Sequence, residues 1–488
     1  LNLSGIFKDI HGLCIDGDPS LEISGIRYDS RRTCPGDLFA AVPGEHFDGT
    51  QFIGEAAAKG ARAFLVPPGT PRSAGGTWVV AENVREALAL ACRNFHHKPD
   101  TRLEVVGITG TNGKTTSSYL MHGVLESSGK KAGLIGTVQY LVGGQIISAA
   151  RTTPESCDLY AMLDGMIKAG CRSCIMEVSS HAIVLERVAG LVMKAGVFTN
   201  LTRDHLDFHR DMESYYQAKA ALFKSGQVKG KVINGDDPYG KRLAGEVGGD
   251  VLTFGMEAGD IRPRGGIESG EWGSRFLMDT PWGEVPVSTS LPGLFNVYNI
   301  MAAAGACGFL GVEPGAIGEG LSRVDRVPGR FERVDGGQPW TAVVDYAHTP
   351  DALENLLRNA RRITPGRLLL VFGCGGDRDR SKRPLMGEAA AQLADFAIVT
   401  SDNPRGEDPE KIIDEIVDIP GNARGKLARI SDRREAIDAA VREARPGDTL
   451  LLAGKGHENY QIIGERILPF SDVDELQKSI KRTLEAQS

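Results

Sequence analysis

The stretch Gly107-Ile108-Thr109-Gly110-Thr111-Asn112-Gly113-Lys114-Thr115-Thr116 follows an apolar run, residues 103–106, and leads into Ser117-Ser118-Tyr119-Leu120-Met121, which reads as a helix. A glycine-rich turn between a strand and a helix is a phosphate cradle. Its backbone N–H groups turn inward around phosphate oxygens, and the new helix presents its positive end. Lys114 reaches the outer phosphates and the Thr115 hydroxyl suits Mg²⁺, so the expected ligand is a nucleoside triphosphate held by Gly110, Thr111, Asn112, Gly113, Lys114, Thr115 and Thr116. The loop is a variant of G-x-x-x-x-G-K-[ST]: Ile108 stands where that pattern has its first glycine, and the glycines fall at 107, 110 and 113.

Two later strand-like runs end in polar residues. Residues 173–178 deliver Glu177-Val178-Ser179-Ser180-His181, and residues 195–199 deliver Asn200-Leu201-Thr202-Arg203-Asp204-His205-Leu206-Asp207-Phe208-His209. Ligands bind at the carboxyl ends of strands in open parallel sheets, so these loops are expected to converge on the phosphate loop. Glu177 is a candidate oxygen ligand for Mg²⁺, or else a helix cap or ion-pair partner. His205, Asp207 and His209 resemble a metal cluster, but alternate residues of an extended segment face opposite ways, which leaves His205 as the candidate. Lys219 lies in a helical stretch, residues 212–223, among alanines and large apolar residues; by itself it reads as part of a solvated face. Residues 234–238 offer a nucleotide contact or a turn. Asn296 and Asn299, three apart on one helical face, either meet a nucleotide or cap and pack their helix.

The elements that must position these residues fall into an α/β chain of three domains. Residues 1–98 alternate strands (21–28, 37–42, 63–66, 77–80) with helices (53–58, 84–95), a small α/β domain. Within it, residues 28–32 and 36–49 are polar loops beside a strand, equally suited to a ligand or a turn. Residues 96–100 read as a linker into the central ATPase-type domain, residues 99–329, which includes a β-rich portion over 250–287. In residues 330–488, strands at 341–344, 367–372, 396–400 and 449–452 each end in a polar or glycine-rich loop: Asp345 to Pro350, Gly373 to Asp379, Asp402 to Arg405, and Gly454 to Glu458. That pattern predicts a doubly wound, Rossmann-like domain with its ligand edge on one side. No internal repeat interrupts it.

A length of 488 residues agrees with about three domains of roughly 150 residues each. The net charge of −7, without a basic block, argues against nucleic acid or an anionic membrane as a partner and for a small-molecule enzyme. Eight scattered cysteines point to reduced thiols in a cytosol-like compartment; Cys171-x-x-Cys174 is the only close pair and has no second pair at zinc-site spacing. There is neither an apolar run of about eighteen residues nor a basic-then-apolar leader, so the expectation is a soluble, cytoplasmic protein without membrane insertion. The chain opens at Leu1, and a few preceding residues are expected to be missing or processed.

Taken together, Thr109 to Thr116, Glu177-Val178-Ser179-Ser180-His181, Thr199-Asn200-Leu201-x-x-Asp204-His205-Leu206-Asp207, Asn296-x-x-Asn299, Gly329-Arg330-Phe331-Glu332 and Asp345-Tyr346-Ala347-His348-Thr349-Pro350 resemble the Mur ligases of peptidoglycan synthesis over nearly the whole chain. The resemblance implies ATP-dependent formation of one peptide bond on a UDP-linked muropeptide through an acyl phosphate. Within the family, Asp402-Asn403-Pro404-Arg405 is similar to the motif of the branch that adds meso-diaminopimelate as the third residue. The second carboxylate of that amino acid suits a bidentate Arg405, and lysine would leave the arginine unpaired.

The same resemblance implies roles residue by residue. Tyr28, Ser30, Glu45, His46 and Phe47 hold the UDP end, and Thr152, Thr153, Ser179 and Arg187 contact the muropeptide. Leu185 stands where the family often has glutamine, two residues before that arginine. Arg378, Asp402, Asn403, Pro404, Arg405, Gly454 and Glu458 form the diaminopimelate pocket. Asn296, Asn299, Arg330 and Asp345 join the phosphate loop around ATP. Lys219 matches a carbamylated lysine, which with Thr115, Glu177 and His205 holds Mg²⁺; Lys114, Glu177, His205 and Lys219 are the implied catalytic set. The expected assembly is a monomer whose partners are ATP, a UDP-muropeptide and meso-diaminopimelate. Three other readings compete: a lysine-adding Mur ligase, a folylpolyglutamate synthase-like ligase, and a nucleotide-switch protein without catalysis.

Overall fold

Val105, Val106, Gly107 and Ile108 show no polar alternation, the pattern of a strand buried on both faces. In the computed structural model, which describes residues 1–44, 48–270, 273–419 and 426–487, Glu104–Thr109 is an interior strand of an eight-stranded sheet. It pairs in parallel with Ser173–Glu177 on one side and Met193–Phe198 on the other. Val228–Asn234 and Asp250–Phe254 continue the parallel set, and Gln139–Val142 and Gln145–Ser148 turn antiparallel beyond Ala132–Ile135. The helices Lys114–Ser127 and Leu294–Phe309 cover one face through Leu120, Met121, Val124, Ile300 and Met301; the alanines between them let helix and sheet approach closely. Tyr160, Tyr215, Tyr216 and Phe223 of Ser156–Lys168 and Met212–Lys224 cover the other. The β-rich portion is a three-stranded antiparallel meander, Arg262–Gly270, Gly273–Thr280 and Gly283–Thr289.

The N-terminal sheet has five strands in the order Leu13–Asp16, Thr77–Ala81, Ala63–Val66, Leu38–Ala40, Ile26–Arg27, parallel except at its first pair. The strand expected over 21–28 shortens to Ile26–Arg27. Leu21 and Ile23 are buried as their apolar character requires, but the Ile23 N–H goes to the Leu1 carbonyl and the Ser24 N–H to that of Gly36, so the run lies outside the ladder.

The C-terminal sheet orders its strands Glu332–Arg333, Thr341–Asp345, Thr449–Ala453, Leu368–Phe372, Phe396–Val399, Leu427–Arg429, parallel after the first pair. The four predicted strands are present, and Thr449–Ala453 inserts between the first two. This sets four loops side by side along one carboxyl edge, those after Asp345, Ala453, Phe372 and Val399. Helices bury both faces: Pro350–Ile363, Lys382–Leu393 and Pro409–Val417 on one, Arg433–Glu443 and Asp472–Gln487 on the other.

The sheets are tied together by side chains. Tyr28 Oη and Arg32 Nη1 both donate to Asp158, at 2.8 and 3.0 Å, joining the first sheet to the second. Arg330 Nη2 donates to Thr115 Oγ1 at 3.1 Å and Asn112 Nδ2 to Asp351 Oδ2 at 3.0 Å, joining the second to the third. No described helix is long and apolar enough to cross a membrane.

Candidate active site

The phosphate loop is held by the end of the neighbouring strand. The Thr111 N–H donates to the Asn200 carbonyl and the Asn112 N–H to Asn200 Oδ1, both at 2.9 Å, while Thr199 Oγ1 donates to the Asn112 carbonyl at 2.6 Å. Gly110, at φ +148°, passes so close that a β-carbon there would lie 1.9 Å from Thr199 Oγ1. Lys114 Nζ bends over the loop and donates to the Gly110 and Thr111 carbonyls at 2.8 and 2.9 Å. Burial pushes its pKa below the usual lysine value.

Glu177, fully buried at the end of Ser173–Glu177, accepts from Thr115 Oγ1 at 3.1 Å and from Thr137 Oγ1 and N–H at 2.8 and 3.0 Å. Among the described residues it caps no helix and forms no ion pair. Thr137, which sequence reasoning missed, fixes its orientation; a lone threonine in a loop carried no signal.

Lys219 overturns its solvated-face reading. It is 1 % exposed because Tyr215, Tyr216, Leu222 and Phe223 on the same helix bury that side against the sheet. Its Nζ donates to the Gly110 carbonyl at 3.0 Å and to Thr109 Oγ1 at 3.4 Å, and lies 4.7 Å from the Tyr215 ring centre. Burial, reinforced by Lys114, pushes its pKa well below that of an ordinary lysine.

The segment carrying His205, Asp207 and His209 is not extended as assumed. His205 adopts φ +52° and starts the short helix Leu206–His209. The turn sends His209 Nε2 to Ser180 Oγ at 2.8 Å and leaves His205 lining the cavity, with Asp204 Oδ2 3.3 Å from its Nε2. The His205 side chain is partly exposed; burial, opposed by Asp204, lowers its pKa to about 3. No three described His, Cys, Asp or Glu side chains form a metal-holding group. Glu177 and Thr115 offer hard oxygen donors at hydrogen-bond distance from one another, the donor type Mg²⁺ takes.

These groups line a cavity of about 580 Å³ between the second and third sheets, bounded also by Thr152, Ser179, Asn234, Phe295, Asn299, Arg330 and Asp351. Asn299 Oδ1 accepts from Ser117 Oγ, and its Nδ2 donates to Asn296 Oδ1 at 3.0 Å. Asn296 is not among the lining residues; it backs Asn299 and donates to the Pro292 carbonyl. Asp345 reaches the cavity, yet its two oxygens accept the Phe331 and Ala347 N–H groups at 2.6 and 2.8 Å, so it fixes the bend that aims Arg330. The Arg330 guanidinium lies over the Tyr346 ring at 4.6 Å.

Along one wall, Thr153 Oγ1 donates to the Glu177 carbonyl and accepts the Ser179 N–H, and Arg187 pairs with Glu155 at 2.8 Å while donating to the Thr153 carbonyl. Leu185 caps the short helix Ser180–Val184 two residues earlier. Tyr28 is engaged by Asp158 and Ser30 Oγ by Glu55 Oε2 at 2.8 Å, away from the cavity lining. Glu45, His46 and Phe47 lie outside the described residues.

At the edge of the third sheet, Asp402, Asn403, Arg405, Gly454 and Glu458 come together. Asn403 Nδ2 donates to Glu458 Oε2 at 2.8 Å, and Arg405, at φ +53°, donates from Nη1 to the Gly376 carbonyl at 2.9 Å. Pro404 links them, and its carbonyl packs on Gly376. Arg378 is exposed, and among the described residues its guanidinium donates only to the Asp377 carbonyl. Lys455 is a further member not singled out from sequence, although it lies between two glycines in the Gly454 to Glu458 loop. Tyr346 and His457, ring centres 5.1 Å apart, stand between this cluster and the nucleotide-sized cavity.

Three family profiles match the chain: the Mur ligase family, catalytic domain, over residues 22–96; the Mur ligase middle domain over 108–307; and the Mur ligase, glutamate ligase domain, over 329–456. Similar proteins include UDP-N-acetylmuramoyl-L-alanyl-D-glutamate--2,6-diaminopimelate ligase of Solibacter usitatus, 47 % identical over 92 % of both chains. Ligase 1 of that name from Clostridium acetobutylicum is 42 % identical over 99 % of both. Among solved structures, a UDP-N-acetylmuramoyl-L-alanyl-D-glutamate--2,6-diaminopimelate ligase superimposes with a TM-score of 0.69 at 32 % identity, covering 99 % of each chain.

Proposed function

The chain belongs to the Mur ligase family, and from that premise we propose that it joins meso-diaminopimelate to UDP-N-acetylmuramoyl-L-alanyl-D-glutamate at the expense of ATP. The observation that carries the reading is the pairing of two sites: a phosphate loop facing Glu177 and Lys219, and beyond Tyr346 a cluster of Arg405, Asn403 and Glu458. The first suits phosphoryl transfer. The second suits an amino acid with a charged group of each sign at its far end. The division we adopt is residues 1–98 for the UDP-muropeptide, 99–329 for ATP, and 330–488 for the amino acid.

In this reading the γ-phosphoryl group passes to the free carboxylate of the D-glutamyl residue, with Lys114 and Arg330 offsetting charge on the transferring group. Mg²⁺, when bound, neutralises phosphate charge; Thr115, Glu177, His205 and a carbamate on Lys219 are the residues that would hold it. Lys219 fits such a modification because it is a buried amine with lowered pKa and no described carboxylate paired with it. The neutral amine of diaminopimelate then attacks the acyl phosphate carbonyl carbon, the tetrahedral intermediate expels phosphate, the nitrogen releases one proton to phosphate or solvent, and the amide remains. Arg405 donates to the distal carboxylate and Glu458 accepts from the distal ammonium. We assign Thr152, Thr153, Ser179 and Arg187 to the acceptor, and Tyr28, Ser30, Glu45, His46 and Phe47 to its UDP end. The protein acts without nucleic acid, in the cytoplasm, as a monomer.

The test is phosphate release from ATP and Mg²⁺ with the UDP-muramoyl dipeptide, comparing meso-diaminopimelate with L-lysine in the wild type and in Arg405→Ala. Release with diaminopimelate only, with kcat/KM reduced about 100-fold or more in the variant, is expected, because the distal carboxylate loses a bidentate partner. Equal or better turnover with lysine would leave a ligase of the lysine-adding kind. No release with either amino acid would return the folate-ligase and switch readings.

A further inference from the structure

We propose that Lys455 is a positioning residue for amino-acid selection, a buried counter-cation that holds Glu458 in place with one carboxylate oxygen turned to the incoming distal ammonium. The inference rests on the reading that this cluster receives diaminopimelate.

The Lys455 side chain is 0 % exposed, which is unusual for lysine and demands partners. Its Nζ meets Glu458 Oε2 at 3.1 Å, Asn403 Oδ1 at 3.2 Å and Asp402 Oδ1 at 4.0 Å. Asn403 also accepts the Ile462 N–H at Oδ1 and donates from Nδ2 to the same Glu458 Oε2 at 2.8 Å. One carboxylate oxygen is therefore held twice, and Oε1 accepts no hydrogen bond from the described residues. The glycines on either side are closely packed. At Gly454, φ +112°, a β-carbon would lie 2.5 Å from Asp402 Oδ2.

Charge explains why a cation is placed there. Glu458 faces Asp402 from the loop after Phe396–Val399, Tyr346 from the loop after Thr341–Asp345, Tyr460 at the start of Tyr460–Ile463, and Arg433, which is itself paired with Asp472 at 2.7 Å. Burial and then Asp402 raise the Glu458 pKa, and Lys455 opposes both. Without the lysine, two neighbouring carboxylates share an enclosed site, and one of them takes a proton. A protonated Glu458 offers the ammonium only a neutral oxygen. With the lysine, Asp402 and Glu458 against Lys455 and Arg405 sum to zero, and a distal group bearing one charge of each sign enters a balanced pocket.

The experiment compares Lys455→Met and Lys455→Gln with the wild type in the full-length protein, reading KM separately for meso-diaminopimelate, ATP and the UDP-muramoyl dipeptide across pH, with melting checked by circular dichroism. The proposal expects KM for diaminopimelate to rise at least about 50-fold in both variants, since losing one partner of a buried ion pair leaves the other uncompensated. It expects KM for the other two substrates to change less than about threefold, and the acid limb of the diaminopimelate profile to move to higher pH. Glutamine keeps a donor without the charge, and methionine keeps more of the volume. If Lys455→Gln binds diaminopimelate like the wild type with an unmoved acid limb, the charge role is overturned. Parallel losses for all three substrates with an unmoved limb would overturn it in favour of a structural role. The underlying reading fails separately, if wild-type enzyme does not use diaminopimelate at all.

Discussion

A neutral amine reacts with carbon dioxide and an ammonium does not. Lys219 is held where the neutral form is favoured, by burial and by Lys114. Carbon-13 NMR in labelled bicarbonate is expected to show a carbamate signal in the wild type that is missing in Lys219→Met, and the variant should lose about 1,000-fold in kcat, as expected for removing charge stabilisation at the transferring group. A wild-type spectrum without that signal would remove the carbamate from the mechanism. His209 makes a different statement about protons. Burial lowers its pKa to about 4, so between that value and the ordinary histidine value of roughly 6.5 the unfolded chain binds more protons than the folded one. Stability therefore rises with pH across this window and is lost on acidification. His457, lowered to about 3 by burial, acts in the same direction. The melting temperature should fall from neutral pH toward pH ~4. His209→Gln, which retains a partner for Ser180 Oγ, should flatten that fall; an unchanged slope would mean the titration lies elsewhere.

At the scale of elements, the phosphate loop depends on a close approach. Gly110→Ala drives a β-carbon into Thr199 Oγ1 at a backbone angle side chains rarely adopt, so a loss of about 2–4 kcal/mol in urea unfolding and a weakened grip on ATP are expected. Full stability would show that the loop can move off the strand end. This loop was legible in the sequence because its chemistry is local: glycines, Lys114 and Thr115 act within ten residues of one another. The four loops of the third domain were legible for the same reason, each following a continuous apolar strand. What the sequence concealed depends on folding back. Lys219 seemed solvated because only the tertiary packing of Tyr215 and Phe223 shows which side of its helix is buried. Strand 21–28 shortened because its N–H groups found Leu1 and Gly36. Asn296 accepts from Asn299 and Asp345 fixes the bend beside Arg330 while lining the cavity, contacts that spacing does not encode.

For the whole molecule, the cavity exists only because two sheets present their carboxyl edges to each other, latched by Arg330 on Thr115 and by Asp351 on Asn112. Closure of the third domain over the nucleotide would exclude water from the acyl phosphate. Solution scattering should show compaction when nucleotide and muropeptide are both present. Asp351→Ala should reduce that compaction and raise KM for ATP about tenfold, in keeping with one hydrogen bond to a charged group. No change in scattering on adding both ligands would dispose of the closure idea.

The amino-acid cluster draws all its members, Asp402, Asn403, Arg405, Gly454, Lys455 and Glu458, from the third domain, while the phosphate loop, Glu177 and Lys219 come from the second. On the proposed assignment, energy conversion and choice of building block fall in separate parts of the chain, with Tyr346 between them. On that assignment, a change of amine would fall on the 402–405 and 454–458 loops, and the phosphate loop on the central sheet would stand apart from it.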